Sequence, residues 1–357
     1  MLSGFTLSPS YAMTFASPAW LDMTHAQSVK GTEYHDLHIS SALMENRQFV
    51  EAIPYLEAAR EKGPTNLFAT YNLGLCYYEL AKASNNNPVE KTEYLIKAEA
   101  MFLRLQSLNP QISDSYFKLG KIAIQTNQME DALSYYKIGL KLEPHNALLH
   151  FNIGWVYDQT ENYDRALYHY SQAVNYDDKL SYAYNNMGLI HQERNEDKKA
   201  EIAYKKALNI DEQYNFARMN LGNLYSRLNR LSEAKAEFQK AVALEPENAW
   251  AKLYLGNVYF KQQDYENAVK FYQASIERNP GYVTTYYLMT LTLYKLDRKD
   301  DAMNFGLSYL SLDPDGNYSQ EVKEIILSLK IQQAGGTFLK GFSKDALKKD
   351  PLKPDPQ

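Results

Sequence analysis

The sequence has little of what disulfide-bonded, metal-binding and catalytic proteins usually need. Among 357 residues there is one cysteine, Cys76, which excludes an intramolecular disulfide and a multi-cysteine metal site. The seven histidines are scattered, and there is no phosphate-binding glycine loop, no G-x-S-x-G turn and no H-E-x-x-H pair. We therefore predict no metal site, no cofactor and no catalytic residue, and we expect that the protein is not an enzyme.

Long apolar runs and an excess of basic charge are also missing. No apolar stretch approaches the ~18–20 residues that a transmembrane helix needs. The 38 basic and 43 acidic residues give a net charge of −5, which argues against a general nucleic-acid binder. A hydrophobic content of 45% with 23% charged residues predicts a chain that buries a core. We expect no nucleic-acid partner and no integral membrane segment.

The N-terminal segment differs from the rest of the chain. The stretch MLSGFTLSPSYAMTFASPAW is apolar, has no basic residue before Lys30, and carries small residues at Ser10 and Ala12, as at the cleavage site of an export signal. The basic region that should open such a signal is missing. We interpret residues 1–32 as a leader, either a truncated export signal plus linker or a disordered segment. The predicted localisation is cytoplasmic, or periplasmic or exported if residues 1–12 are the remnant of a signal peptide.

A period of 34 residues dominates what the sequence does contain. Glycines preceded by Leu, Ile or Met recur at this spacing at Gly120, Gly154, Gly188, Gly222 and Gly256. Gly74 precedes this series by 46 residues, which indicates a 12-residue insertion. Alanines and prolines recur in phase with the glycines. Small residues let two antiparallel helices approach closely, and a proline ends the second helix because it lacks an amide proton.

Segments such as HFNIGWVYDQTENYDRALYHYSQAV resemble the tetratricopeptide (TPR) repeat, over about four fifths of the chain. The resemblance implies an all-α fold, a right-handed α-α superhelix, which is a solenoid of antiparallel helix pairs. We divide the chain into eight repeats at 33–66, 67–112, 113–146, 147–180, 181–214, 215–248, 249–282 and 283–316. The insertion lies in the second repeat, between its helices, and we expect a surface loop that projects from one edge. A capping helix (317–334) and a flexible basic tail (335–357) should follow.

The resemblance also implies that the first helix of each repeat lines a concave groove. Asparagine recurs at the sixth repeat position, and the neighbouring positions are rich in aromatic residues. The predicted peptide-binding residues are Asn72, Asn152, Asn186, Asn220, Asn223, Asn257, Phe151, Trp155, Tyr182, Phe216, Trp250, Lys118 and Lys121. A ladder of amides offers paired donors and acceptors for the main chain of an extended peptide. It resembles the ladders of peptide-binding members of the family, such as the TPR half of O-GlcNAc transferase.

Alternatives to this interpretation stay open. The asparagines could bond neighbouring helices, and the aromatic side chains could pack against the next helix. Lys118 and Lys121 resemble part of the clamp that holds a terminal carboxylate in chaperone-binding TPR domains, but the full set of clamp residues is not present. We interpret the chain as a non-catalytic scaffold or adaptor that binds an extended segment in the groove. The alternatives are a self-associating structural array, hence a homo-oligomer, and a targeting subunit of a separate enzyme, such as a glycosyltransferase or an envelope-assembly complex.

Overall fold

The computed structural model describes residues 32–333, and this part of the chain is built from helices without a strand. The chain divides into two compact bodies, Met1–Tyr176 and Asp177–Gln357, here called the N-terminal and the C-terminal body. Apart from Thr32, the predicted leader and the predicted basic tail lie outside the described residues.

The helices follow one another in pairs within each body. In the N-terminal body they are α1 (Thr32–Glu45), α2 (Phe49–Lys62), α3 (Leu67–Ala83), α4 (Pro88–Leu108), α5 (Ser113–Gln125), α6 (Met129–Leu142), α7 (Ala147–Gln159) and α8 (Tyr163–Tyr176). In the C-terminal body they are α9 (Ser181–Glu193), α10 (Asp197–Ile210), α11 (Asn215–Arg227), α12 (Leu231–Leu244), α13 (Ala249–Lys261), α14 (Tyr265–Arg278), α15 (Val283–Lys295), α16 (Lys299–Leu312) and α17 (Ser319–Gln333). Odd-numbered helices up to α15 are the first helices of the repeats, and even-numbered ones are the second helices.

A glycine on each of several first helices makes room for an aromatic ring on the second helix. A Cβ on Gly120 would lie 2.3 Å from Cε1 of Tyr136, and a Cβ on Gly256 would lie 2.6 Å from Cε1 of Tyr272. Both tyrosines are fully buried. Because such a Cβ could not coexist with the ring, the recurring glycine sets the close approach of the two helices. The all-α fold of helix pairs that the 34-residue period predicts is confirmed.

Local signals in the sequence set the ends of the helices. Asn66 caps α3 by accepting a hydrogen bond from the Ala69 N–H at 2.9 Å. The second helix α6 ends at Leu142, just before Pro144, as the periodic prolines predict. The turn inside seven of the pairs contains a residue with positive φ, and these residues are Arg47, Asn127, Glu161, Asn195, Asn229, Gln263 and Asp297. Three of the seven are asparagine, which tolerates this conformation better than most residues.

The insertion in the second repeat is helical rather than a loop. Helix α3 has 17 residues and α4 has 21, whereas α5 and α6 have 13 and 14. Asn87 caps α4 by accepting from the Glu90 N–H at 3.2 Å, and Pro88 occupies the first turn, where its missing N–H costs nothing. The predicted surface loop is therefore wrong, since these start signals extend the second helix instead.

Three further features concern residues 32–333. No helix in this range is long and apolar enough to cross a bilayer. No group of three or more His, Cys, Asp or Glu side chains in it could hold a metal ion.

Cys76 is buried, and burial raises the pKa of its thiol to about 12. The thiol therefore stays protonated near neutral pH and is a packing residue, not a nucleophile.

Candidate binding surface on the first helices

The predicted binding residues lie on α3, α5 and α7 in the N-terminal body and on α9, α11 and α13 in the C-terminal body. In the N-terminal body, polar side chains join α3 to α5. The Tyr71 hydroxyl donates to Asp114 Oδ2 at 2.6 Å, and Gln125 Nε2 donates to the Tyr78 hydroxyl at 3.2 Å. These bonds show that α3 and α5 share one polar face.

Lys118 and Lys121 lie on α5, three residues apart and therefore on the same side of the helix. Their Nζ atoms lie 5.8 Å and 5.5 Å from the centroid of the Phe117 ring. Both side chains are half-buried. The pKa of Lys121 is lowered to about 8, first by burial and then by the neighbouring charges of Lys118 and Lys82. The structure therefore brings the two predicted lysines together.

The two asparagines of the N-terminal body that belong to the predicted site, Asn72 and Asn152, differ in their hydrogen bonds. Asn152 Nδ2 donates to the Leu148 carbonyl at 2.7 Å, within its own helix. The side-chain amide of Asn72 forms no hydrogen bond with any residue between 32 and 333, although the residue is only 8% exposed. One amide is thus partly occupied by its own backbone, and the other keeps its donors and acceptor for solvent or a ligand.

Of the two predicted aromatic residues in this body, only one reaches the surface. Phe151 is buried, and its ring centroid lies 5.5 Å from that of Tyr170 on α8. Its role is packing between the two helices of a repeat, so the prediction that it lines an accessible groove does not match its burial. Trp155 is half-buried.

In the C-terminal body, the adjacent asparagines on α9 form a small network with α11. Asn185 is buried, and its Nδ2 donates to Asn186 Oδ1 at 3.3 Å. Asn220 Nδ2 donates to Asn185 Oδ1 at 2.9 Å. Amide groups of these residues therefore connect two successive first helices, which is the alternative that the sequence left open.

The two other predicted asparagines of this body lie beside tyrosines. Burial raises the pKa of the Tyr254 hydroxyl on α13, and the nearby side chain of Asn223 on α11 reduces that rise. Asn257 Oδ1 accepts from the Tyr272 hydroxyl at 3.0 Å. The carbonyl oxygen of Asn257 is thus occupied by the second helix of its own repeat.

An exposed aromatic cluster lies at the start of α13. Trp250 is 45% exposed, and its ring centroid lies 5.9 Å from that of Tyr254 and 4.3 Å from that of Tyr282. Phe216 on α11 is 39% exposed, and Tyr182 on α9 is half-buried. Tyr254 and Tyr282 were not among the predicted site residues, although the four-residue spacing of Trp250 and Tyr254 on a helix could have indicated their contact. We call Trp250, Tyr254 and Tyr282 the aromatic cluster.

One group of titratable residues also escaped the sequence analysis. On α7 and α8, His150 Nδ1 lies 3.1 Å from His169 Nδ1, and His150 Nε2 lies 3.2 Å from the Pro144 carbonyl oxygen. The pKa of His169 is lowered to about 4 by burial, by His150 and by the cations Lys137 and Arg165. The two histidines are nineteen residues apart in the sequence, so no short-range spacing pattern could have predicted their contact.

Comparison with known proteins agrees with this architecture. Two family models described as tetratricopeptide repeat match the chain, one at residues 39–83, 117–181 and 219–283 and the other at 181–214, together more than half of the sequence. No curated protein matches the chain significantly.

Solved structures share the fold. PilF of Pseudomonas aeruginosa is 21% identical, with a TM-score of 0.53, over 59% of this chain and 96% of that one. PilW, a type IV pilus biogenesis factor, is 18% identical, with a TM-score of 0.53, over 60% of this chain and 99% of that one. A chain in the structure of the APC/C hetero-tetramer Cut9–Hcn1 is 16% identical, with a TM-score of 0.53, over 86% of this chain and 58% of that one. At these identities the likeness concerns the fold alone.

Proposed function

Because the chain belongs to the tetratricopeptide repeat family, whose members are typically protein-interaction scaffolds, we propose that it is a non-catalytic scaffold or adaptor. It holds an extended segment of a partner protein against the first helices of its repeats. The observation that carries this proposal is the aromatic cluster on the C-terminal body, where Trp250 is 45% exposed.

The aromatic cluster has the properties of a binding anchor. An indole that is half in water leaves apolar area that a partner could bury, and tryptophan and tyrosine dominate the binding energy of many interfaces. Tyr254 and Tyr282 pack against Trp250, with ring centroids 5.9 Å and 4.3 Å from that of the indole, and the side chain of Asn223 lies near the Tyr254 hydroxyl. The rings are therefore held in place before a partner arrives, which lowers the entropy cost of binding.

The amides supply the second part of the proposed contact. A partner segment without secondary structure has main-chain N–H and C=O groups that need partners when they leave water. The side chain of Asn220 uses one amide hydrogen for Asn185 and keeps its carbonyl oxygen for a ligand. In the N-terminal body, Asn72 keeps its whole amide. On the C-terminal body, aromatic anchoring and main-chain bonding by Asn220 together favour a segment of extended backbone with at least one large apolar residue.

The test is selection of a displayed random-peptide library on the purified full chain, followed by affinity measurement with Trp250→Ala. Loss of an anchor of this kind costs ~2–4 kcal/mol, so the selected peptides should bind the variant roughly 30- to 1,000-fold more weakly. The matched control is Ile202→Ala, which removes a residue that is 58% exposed on the second helix α10. The control should bind like the parent chain. Selected peptides that bind Trp250→Ala as tightly as the parent would contradict the proposal.

One observation favours self-association as a second candidate function. The lengthened helix α4 exposes three apolar side chains at seven-residue spacing, Val89 at 78%, Ile96 at 61% and Leu103 at 42%. Residues seven apart lie on the same side of a helix, so the three side chains leave a strip of exposed apolar area that a second copy of the chain could cover. Sedimentation of the full chain over a range of concentrations tests this. A mass that rises with concentration in the parent chain but not in Ile96→Lys would support it, and a single monomeric mass would contradict it.

A further inference from the structure

Three prolines that follow the last helix lie outside the 34-residue period. Pro351 and Pro354 are three residues apart in the stretch DPLKPDPQ, and Pro356 follows. A proline fixes its own φ at about −65° and pushes the residue before it toward extended backbone, so six of the seven residues 350–356 are restricted. These residues lie outside the described range, and their sequence predicts a polyproline II segment. In such a segment, residues three apart lie on one side at a spacing of about 9 Å.

The aromatic cluster offers what a polyproline II segment can bind. Such a segment has no internal hydrogen bonds, so its carbonyl groups are open to outside donors, and its proline rings pack on aromatic surfaces. The ring centroids of Tyr254 and Tyr282 lie 5.9 Å and 4.3 Å from that of Trp250, so the three rings form one continuous surface. The indole N–H of Trp250 and the hydroxyl of Tyr282 form no hydrogen bond with any residue between 32 and 333, so both are available as donors.

The seventh repeat alone combines these rings. Trp250, Tyr254 and Tyr282 occupy its second, sixth and last positions. The preceding repeat has phenylalanine and two asparagines at these three positions, and the following repeat has threonine, leucine and glycine. Each of the remaining repeats has at least one residue without an aromatic ring among the three. An aromatic surface of this kind is therefore a local feature of the chain and is not a consequence of the repeat.

The chain itself carries a polyproline II segment within reach of the aromatic cluster. Tyr282 directly precedes α15, and α15 packs against α17 in the same body. Helix α17 ends at Gln333, eighteen residues before Pro351. Packed helices lie about 8–10 Å apart, α17 is about 22 Å long, and eighteen extended residues span up to ~60 Å. Gly335 and Gly336 follow α17 and allow the chain to reverse its direction.

We propose that the aromatic cluster binds the chain's own segment Pro351–Pro354, here called the PxxP segment, and that a partner segment must displace it. Pro351 and Pro354 rest on the rings, and Trp250 and Tyr282 donate hydrogen bonds to carbonyls of the segment. The inference rests on the proposed function, because it gives the same rings an internal competitor. It also gives the partner a chemical class, since a segment that displaces this one must be extended and contain proline.

Occupancy by the PxxP segment should weaken the binding of any free peptide. A segment tethered through a flexible connection of this length is present at its site at an effective concentration on the order of 1 mM. A peptide that binds the open rings with a Kd of about 0.1 mM should therefore bind the parent chain roughly tenfold more weakly than a chain without the PxxP segment.

The experiment uses the full chain labelled with 5-fluorotryptophan, in which Trp250→Phe assigns the fluorine signal of Trp250. The parent chain is compared with Pro351→Ala/Pro354→Ala, here called the proline variant. The Trp250 signal should differ between the two, because the rings lose their occupant in the variant. The signal of Trp155 on α7 should not change. Identical Trp250 signals in the two chains, or a change at Trp155 in place of Trp250, would overturn the proposal.

A matched control and an added peptide sharpen this comparison. Phe338→Ala/Phe342→Ala removes two apolar residues that also follow α17 but keeps the prolines, so its Trp250 signal should match that of the parent. The capped peptide of residues 348–357 should return the signal of the proline variant to the parent position. The same peptide should bind the parent about tenfold more weakly than it binds the proline variant. A control that shifts as much as the proline variant would overturn the assignment to the prolines.

Further outcomes separate this inference from its alternatives. The difference at Trp250 should not depend on the concentration of the chain. A difference that appears only as the mass rises with concentration would place the segment of a second copy on the rings and overturn the intramolecular assignment. If library peptides bind through Trp250 but the parent and the proline variant give the same signal, the inference is refuted and the proposed function stands. If the signals differ as expected but no library peptide binds the proline variant, the internal contact is supported and binding of a partner segment is refuted.

Discussion

His150 in the N-terminal body and Arg218 in the C-terminal body occupy the same position of their repeats, two periods apart. His150 Nε2 lies 3.2 Å from the carbonyl oxygen of Pro144, and Arg218 Nη2 donates to the carbonyl of Glu212 at 2.5 Å, six residues earlier in each case. Each side chain then contacts the residue nineteen positions later on the second helix. In one body this contact is a pair of neutral imidazoles, and in the other it is an ion pair.

The comparison shows which side chains can fill the same role at this position of the repeat. The carbonyl six residues earlier accepts a hydrogen bond in both cases. Tyr116 occupies the same position one repeat before His150, and its hydroxyl donates to the Pro110 carbonyl at 3.2 Å. A hydroxyl, an imidazole or a guanidinium can therefore supply the donor at this position, because the carbonyl needs only an N–H or O–H group within reach. The charge of the donor is not specified. The two bodies can consequently differ in their response to pH while they share one backbone.

The tautomers of the histidine pair follow from this geometry. The Pro144 carbonyl can only accept, so His150 Nε2 carries a proton and His150 Nδ1 is the bare acceptor. His169 Nδ1–H then donates to His150 Nδ1. A proton on His150 Nδ1 would place two N–H groups face to face and break this bond. Arg218 has no comparable alternative state, since a guanidinium stays charged.

The largest effect is expected where the ion pair is broken. Arg218 Nη1 lies 2.8 Å from Glu237 Oε2, and the two side chains are 5% and 15% exposed. In Arg218→Met, Glu237 keeps only its contact with Lys240 at 3.3 Å, and the Glu212 carbonyl loses its donor. The C-terminal body should lose ~3 kcal/mol in its free energy of unfolding. Hydrogen exchange of the amides in α11 and α12 measures this loss locally, because repeat arrays do not always unfold as one unit.

Arg278→Met provides the matched control for this experiment. Arg278 pairs with Glu247 at the surface, where both side chains are about half or more exposed, so its loss should cost ~0.5 kcal/mol or less. Arg218→Met/Glu237→Met should recover most of the stability, since no unpaired charge remains. A double variant as unstable as Arg218→Met would show that the donor to Glu212 carries the effect, not the ion pair.

The histidine pair should make the N-terminal body sensitive to acid. The pKa of His169 is lowered from 6.5 to about 4, so the folded state binds fewer protons than the unfolded state within this range. Its stability is therefore complete above pH 6.5 and falls as the pH drops toward 4. Since His169 is half-buried and screened by solvent on one side, the loss should be ~1–2 kcal/mol rather than the ~3 kcal/mol of full linkage.

Transplanting one pair into the other body sharpens this prediction. His150→Arg/His169→Glu gives the N-terminal body the pair found at Arg218 and Glu237. Amide exchange in α7 and α8, corrected for the intrinsic pH dependence of exchange, should then no longer accelerate between pH 6.5 and pH 4.5. His169→Gln should reduce the acid sensitivity and leave the part that comes from His150, whose pKa burial also lowers. If both variants keep the slope of the parent chain, a group outside the histidine pair is responsible for the acid sensitivity.

How much the sequence predicts depends on whether a property belongs to one repeat or to several. The glycine at each Leu-Gly mark and the aromatic residue sixteen positions later on the second helix lie in one repeat, as Gly120 and Tyr136 do, so their contact follows from the period. The hydrogen bonds of Asn185 depend on rotamers and on the register between α9 and α11, which a single repeat does not contain. The family resemblance therefore places residues on a face but does not decide which of them remain accessible.

The smallest expected effect compares two asparagines at the same repeat position in the two bodies. Asn220→Ala removes the amide that donates to Asn185 Oδ1, and Asn185 is only 1% exposed. Its carbonyl oxygen would be left without this partner in a buried place, which should cost ~1 kcal/mol of stability in α9 and α11. Asn72→Ala removes an amide that bonds no residue between 32 and 333, so stability in α3 should change by ~0.5 kcal/mol or less.

Amide exchange of both variants under the same conditions gives the two values, and peptide affinity separates their roles. Asn72→Ala should weaken a bound segment by ~0.5–1.5 kcal/mol without a stability change, because an unoccupied amide is available to a ligand. Asn220→Ala should change stability and affinity together. Equal stability losses in the two variants would mean that the asparagine position supports the fold in both bodies, and the amides would then have to be removed from the proposed binding surface.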